Sequence, residues 1–459
     1  MIPAQPLIST PTSSAYKDAY NRHRRRPQEP NYIGDIDDLV DFSNPFSDSR
    51  IVPLHLPCPN DNDNDNHPKR NNDNVGTRSC SHDTTDYNHN DSGNHNGNHH
   101  HARYKGPTFG ITTHPGFIYI PHALSKRMQL DISHQALTQF CNVPHRTNID
   151  LVPMKKNEIV NGPDESMWNL WKLDHGYAAN DHANVNANAN VNANENGFAN
   201  GSIDTCNLET KQKDLNQNMK WKFKRYMYKS FEKLSWATTG YHYDWTKRSY
   251  KEDKKSPMPP SMTALGSLFA ECDTSQSKNK SQSFTTSASI VNYYSKNSNM
   301  GGHRDDLELD FNKPVVSISL GLPAVFLLGG KIKENEPVIG ILVRPGDVML
   351  LAGDSRLCYH GMARVIPKDV VLPEVDVALE EHTSTFQIDT YGDDCFGGDT
   401  HNYNVGDGGD GDRTRTYTLV ERDLTTPESD VDAVCEFLSE HRININLRQV
   451  LPHGVDRIP

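Results

Sequence analysis

The chain is 459 residues long, carries a formal net charge of −12 and is only 35% hydrophobic, with a mean hydropathy of −0.73. No apolar run is long enough to cross a bilayer as a helix, and the acidic balance opposes indiscriminate attraction to a polyanion. The apolar deficit sits in three tracts: residues 60–101 and 178–200, rich in Asn, and 389–413, rich in Gly and Asp. None can bury enough apolar surface to offset its ordering entropy, so all three read as disordered insertions. What remains suffices for one ordinary core. The 8 Cys show neither CxxC spacing nor a secretory framework, which predicts reduced thiols and an intracellular protein. The acid-poor first 26 residues read either as a mitochondrial transit peptide or as a helix of the folded protein. Cytoplasm, nucleus and mitochondrion therefore all stay open.

In chain order, residues 15–26 read as a short basic helix that leads through a Pro-bearing link into 36–46. Residues 47–107 read as disordered, with the globular part expected to begin near Phe109. An opening strand over 112–121 precedes a helix over 123–140, and Trp168 and Trp171 are spaced as on one helix face. Residues 207–234 read as a basic helix in which Lys211, Lys220, Lys222, Lys224 and Arg225 face few acids. That run is either a phosphate-binding segment or a solvated helix face. An aromatic, extended stretch covers 236–250, followed by a helix over 261–272 with Met262, Leu265 and Phe269 at helical spacing.

From Phe284 the pattern changes to short strands rich in β-branched residues, separated by Gly and Pro. They are expected at 284–294, 314–320, 324–328, 338–344, 347–352, 357–366, 413–420 and 441–449, with a short helix over 431–440. The acidic stretch 368–412 reads as a surface loop. This spacing predicts a mainly β protein with flanking helices, built on a jelly roll, or double-stranded β-helix.

Two patterns carry chemistry. In Arg442-Ile-Asn444-Ile-Asn446-Leu-Arg448 polar and apolar residues alternate, so both guanidiniums and both amides share one strand face. Such a face can clamp a dicarboxylate, because Arg presents a planar fork matched to carboxylate oxygens. Equally, it can be the wet side of an amphipathic strand. Upstream, His303 and Asp305 stand at i and i+2 on an extended segment, and His360 follows at a distance. Two imidazoles and one carboxylate form the ligand set of non-haem Fe(II) oxygenases, which leaves coordination positions open. With 22 His in the chain a lone His-x-Asp says little, and the specificity lies in the combination with the paired-Arg strand.

In these segments the chain resembles the AlkB family of Fe(II)/2-oxoglutarate dioxygenases, in particular its eukaryotic type-1 branch. The likeness is carried by Asn292-Tyr-Tyr294, His303 through Asp310, Val316 through Gly321, Pro345-Gly-Asp347, Ser355-Arg356-Leu357, His360 and Arg442 through Leu451. Tyr16–Phe46, His114–Pro121 and Leu234–Trp245 look specifically like the type-1 branch. Position 446 is Asn where the family strand usually has Thr, and Leu307 stands where the bacterial members have a base-reading acid.

The resemblance implies that His303, Asp305 and His360 hold Fe(II), with 2-oxoglutarate and O2 as cosubstrates. Arg442 would pair with a carboxylate of 2-oxoglutarate. Arg448, Asn292 and Tyr294 would fix its other end or the groups behind the metal, and Asn444 would orient a ligating carboxylate or the cosubstrate. Trp236 and Tyr243 match the family's nucleotide-recognition lid, although core aromatics would look the same. Arg356 would close the site on the substrate or pair with an acid. The implied activity is oxidative demethylation of nucleic acid by a monomer, releasing formaldehyde, succinate and CO2. N1-methyladenine in tRNA comes first and methylated DNA second. Oxidation of a protein, lyase cleavage at abasic DNA and a noncatalytic nucleic-acid-binding module are the alternatives. The expected organisation is an extension over 1–46, a disordered segment over 47–107, and a lid with supporting helices over 108–283. The jelly-roll core occupies 284–459.

Overall fold

A computed structural model describes residues 14–24, 38–54, 104, 106–151, 167–177, 231–244, 247–274, 284–332, 336–372 and 426–458. The tract 178–200, the stretch 389–413, most of the basic run and the strand expected at 413–420 lie outside these residues. Along the chain run α1 (Ala15–His23), β1 (Val40–Asp41), β2 (Ile51–Leu54), β3 (Thr108–Ile111), β4 (His114–Ile120), α2 (Lys126–Thr138), β5 (Arg146–Thr147) and α3 (Met167–Asp174). Then come β6 (Trp236–Asp244), β7 (Ser249–Lys255), α4 (Pro260–Ala270), β8 (Ala288–Ser295), β9 (Met300–His303), β10 (Val315–Gly321) and β11 (Ala324–Leu328). The described chain finishes with β12 (Ile339–Val343), β13 (Val348–Leu351), β14 (His360–Val365), α5 (Glu428–Glu440) and β15 (His441–Arg448).

Two sheets result. The smaller follows the order β1-β12-β11-β14-β9, and the larger β2-β3-β4-β13-β10-β15-β8-β6-β5, with β7 paired to β6. Strand alternation explains how they stack. On β10, Val316, Ile318 and Leu320 join a core cluster with Leu137, Phe269 and Phe437 of the helices, while Ser319 and Ser317 point the other way. Between the sheets lie Phe109, Phe117, Tyr119, Ile341, Val343 and Leu351. A third cluster, with Tyr16 of α1 and Val325, Leu327 and Ala363, covers the outer face of the smaller sheet. The order is therefore helices, large sheet, small sheet, α1, a jelly-roll sandwich with helices on its flanks.

The helix layer is pinned by one carboxylate. Asp430 accepts from Lys172 Nζ at 2.8 Å, Trp168 Nε1 at 2.8 Å and His134 Nε2 at 3.0 Å, so α2, α3 and α5 meet on it. Its side chain and that of Lys172 are fully buried, and stranding either charge would cost about 3–5 kcal/mol. The crossing from β12 of the small sheet to β13 of the large one is a tight turn at Pro345-Gly346, where Gly346 takes φ +87°. Asp347 locks that turn by accepting from the Arg344 N–H at 2.7 Å and from the Tyr119 hydroxyl.

Four expectations are corrected. Residues 51–54, placed in a disordered segment, form β2 and pair with β3. The sheet runs across the expected boundary at 284, because β4 pairs with β13 and β6 with β8. Finally, the strand expected at 357–366 starts only at His360, after a 3-10 turn over Gly353–Leu357, and Met300–His303, not among the expected strands, is β9. Two of these were invisible locally: β2 and β9 are four residues long and gain their partners only from distant segments.

Candidate active site

The paired strands β9 and β14 set His303 directly opposite His360. Asp305 follows two residues beyond the end of β9, where the chain turns toward the large sheet. The ligand atoms of the three side chains all lie within 4.8 Å of one another, and the imidazole centroids are 4.5 Å apart. Asp305 Oδ2 stands 3.7 Å from His360 Nε2. His303 Nδ1 contacts the Gly301 carbonyl at 3.0 Å and His360 Nδ1 the Cys358 carbonyl at 3.1 Å. A carbonyl can only accept, so each Nδ1 carries the proton and each Nε2 presents its lone pair to the shared point. Burial, helped by His303 beside it, pulls the His360 imidazole down to about 4, so it is neutral and ready to ligate at neutral pH. Burial pushes the Asp305 carboxyl up, but Arg448 with the two imidazoles outweighs this and holds it well below the usual carboxylate range.

The two strand arginines separate in role. Arg448 donates to Asp305 Oδ2 at 2.8 Å and lies 3.4 Å from Glu308 Oε1. Glu308 in turn accepts from Tyr250 Oη at 2.9 Å and Arg356 at 3.0 Å, and Arg356 also donates to the Asp305 carbonyl at 2.6 Å. These groups form a closed, buried charge network that aims the Asp305 carboxylate. Arg442 has no such partner. It is 3% exposed, donates to the Leu322 carbonyl at 3.1 Å and Ser319 Oγ at 2.9 Å, and its Nε has no acceptor. Among the described residues no carboxylate forms an ion pair with it. A buried cation held only by neutral oxygens is costly, and this one lines the cavity that contains the three ligand residues.

Tyr294, Ser317, Asn444 and Asn446 supply the remaining polar wall of that cavity, and Phe326, Met349, Leu351 and Met362 much of the apolar wall. Asn444 is fixed by donating to Ser317 Oγ at 2.9 Å and the Ile318 carbonyl at 3.0 Å, and it accepts from Asn446 at 3.0 Å. The polar face of β15 therefore points into the sandwich, with Arg442, Asn444 and Arg448 buried and Asn446 half-buried, while Ile443, Ile445 and Leu447 face the helix layer. Two nitrogens and one oxygen suit Fe(II), and the unmatched Arg442 fork suits one end of a dicarboxylate. The residues fit the groups.

Other predicted residues lie elsewhere. Asn292 is buried opposite Asn444 but is not on the cavity wall. Trp236 is half-buried at the start of β6, beside Asn292. Tyr243 packs edge-on to Tyr250 at 5.6 Å in a cluster that also holds Leu451, and Leu307 closes that cluster. Of the two roles expected for Arg356, the structure shows the pairing with an acid: it is a buried strut behind Asp305, spent on Glu308 and two backbone carbonyls. Glu308 and Tyr250 were not anticipated as site residues. Glu308 lies three positions after Asp305, and a charged residue there had no signal of burial. We expect Glu308→Gln to weaken Co(II) binding about 10- to 100-fold, the usual cost of losing a partner behind a metal ligand. A calorimetric titration that finds unchanged affinity would remove Glu308 from the site.

The 2OG-Fe(II) oxygenase superfamily matches residues 196–448, more than half of the chain. This chain belongs to that superfamily. Within it the chain is a member of the AlkB family. It is 33% identical over 259 residues to a DNA N(6)-methyladenine demethylase of Arabidopsis thaliana, covering 56% of this chain and 66% of the relative. To a nucleic acid dioxygenase of Homo sapiens it is 28% identical over 264 residues, covering 57% and 54%. To a tRNA demethylase of Schizosaccharomyces pombe it is 34% identical over 136 residues, covering 30% and 43%. The chain thus spans between about half and two thirds of the first two relatives.

Proposed function

We propose that the oxygenase removes N-methyl groups from nucleic acid by oxidation, with N1-methyladenine in tRNA as leading substrate and methylated DNA second. The observation that carries the reading is the cavity itself, which is lined by two imidazoles, one carboxylate and an Arg that has no ion pair among the described residues. Three relatives named for DNA, tRNA or nucleic-acid chemistry support the substrate class. Bound Fe(II), with 2-oxoglutarate and O2, supplies hydroxylation of the methyl carbon, and the product collapses to formaldehyde and the free amine. The chain's own contribution is positional. Arg442 holds one carboxylate of the cosubstrate, Arg448 keeps Asp305 aimed, and Phe326, Met349 and Met362 keep water from the reacting atoms. No helix among the described residues is long and apolar enough to cross a membrane.

The test is mass spectrometry of nucleosides from methylated tRNA and from methylated single-stranded DNA. Each is incubated with full-length protein, Fe(II) and 2-oxoglutarate. The expected result is loss of N1-methyladenine matched mole for mole by succinate and formaldehyde, and blocked by a chelator. Succinate formation with both nucleic acids left intact would point to a protein substrate. Chelator-resistant strand cleavage at abasic sites would point to lyase chemistry, and binding without turnover to a noncatalytic module. Each of these outcomes would overturn the proposal.

A further inference from the structure

Three glycines on adjacent strands of the small sheet form a cradle behind the metal ligands. Gly302 immediately precedes His303 on β9, Gly361 immediately follows His360 on β14, and Gly329 follows the end of β11. One side chain fills the cradle: Tyr16 of α1, which is 2% exposed. A Cβ at Gly302 would clash with its ring at Cε1, one at Gly329 would lie 3.0 Å from its Cδ2, and one at Gly361 would lie 2.8 Å from its hydroxyl oxygen. The Tyr16 ring also tilts against Tyr359, the residue before His360, with centroids 6.4 Å apart. One turn along α1, Tyr20 donates to Asn299 Oδ1 at 2.6 Å, just ahead of β9.

Glycine imposes little stiffness on a backbone, so the two strands that carry the imidazoles are free of side-chain restraint where restraint matters. The ring wedged against all three positions provides it. We propose that Tyr16 is a positioning residue for the iron-binding imidazoles. Through it, the N-terminal helix sets how closely His303 and His360 converge. The proposal rests on reading His303, Asp305 and His360 as metal ligands.

Co(II) binding to the full-length protein, followed by calorimetry and by the visible absorption of the bound ion, tests it without turnover. Tyr16→Leu keeps the site apolar but loses the flat ring; it is expected to weaken Co(II) binding roughly 10- to 100-fold and to alter the absorption bands. Tyr16→Phe keeps the ring and should stay within about threefold of wild type, since it forfeits at most one hydrogen bond. Phe269→Leu removes an equally buried ring from the helix layer, on the far side of the large sheet. It should lower thermal stability and leave Co(II) affinity untouched. Wild-type affinity in Tyr16→Leu, or equal weakening in Phe269→Leu, would overturn the positioning role. If Tyr16→Leu does not fold, Tyr20→Phe replaces it, with an expected loss of about fivefold; no loss would overturn the proposal. A wild-type protein that binds no Co(II) would refute the ligand assignment first, and this inference with it.

Discussion

Asp305→Ala is expected to abolish turnover, with succinate release falling at least about a hundredfold. The floor follows from a comparison: removing a partner behind a metal ligand costs about 10- to 100-fold, and a ligand is worth more than its support. Asp305 supplies the one carboxylate among the three converging ligands, and it is also the acid that Arg448 grips at 2.8 Å. Its removal leaves a buried guanidinium beside two imidazoles, so the remaining groups repel a cation rather than attract it. His303→Ala should be nearly as severe, because its Nε2 lies on the same point and no further ligand residue joins the group among the described residues. The measurement is 2-oxoglutarate-dependent succinate release with Fe(II) in excess. Activity within tenfold of wild type in Asp305→Ala would exclude this carboxylate as a metal ligand.

The second large effect separates the two arginines. Arg442→Met should raise the KM for 2-oxoglutarate roughly 30- to 700-fold, the equivalent of about 2–4 kcal/mol for truncating one side of a buried charge pair. Without cosubstrate the same variant should be as thermally stable as wild type or more so, because Arg442 is buried with no ion pair among the described residues and its replacement relieves that cost. Arg448→Met should do the reverse to stability. It strands the half-buried Asp305 and leaves the buried Glu308 with Arg356 as its one guanidinium, and should destabilise the fold by about 3–5 kcal/mol in a denaturant melt. Loss of stability in Arg442→Met together with an unchanged KM would mean that Arg442 serves the sandwich rather than the cosubstrate.

The strand β15 shows why part of the site is readable from a string of letters. Side-chain direction in a strand has period two, so the alternation from Arg442 to Arg448 fixed which groups share a face before any partner strand was known. Turn chemistry at Pro345-Gly346 and helical spacing at Met262, Leu265 and Phe269 were readable for the same reason, being local. Burial of the polar face was not. Whether Arg442 and Arg448 meet water or the interior depends on what the opposite sheet brings, and that sheet is assembled from segments up to hundreds of residues away. Arg356 illustrates the same limit: the resemblance left it either closing on substrate or pairing with an acid, and only the folded chain shows its fork on Glu308 and the Asp305 carbonyl.

From the letters alone came the ligand types, the alternation that groups the arginines, and the succession of short strands that makes a sandwich. All of these rest on chemistry or on geometry repeated every two to four residues. Only the folded chain decided that Arg448 serves Asp305 while Arg442 is left for a carboxylate. It alone revealed that Glu308 balances the cluster and that Tyr16, nearly three hundred residues upstream, braces both imidazoles. Those assignments depend on through-space distances between side chains far apart in sequence, and long-range packing, unlike local periodicity, leaves no pattern along the chain.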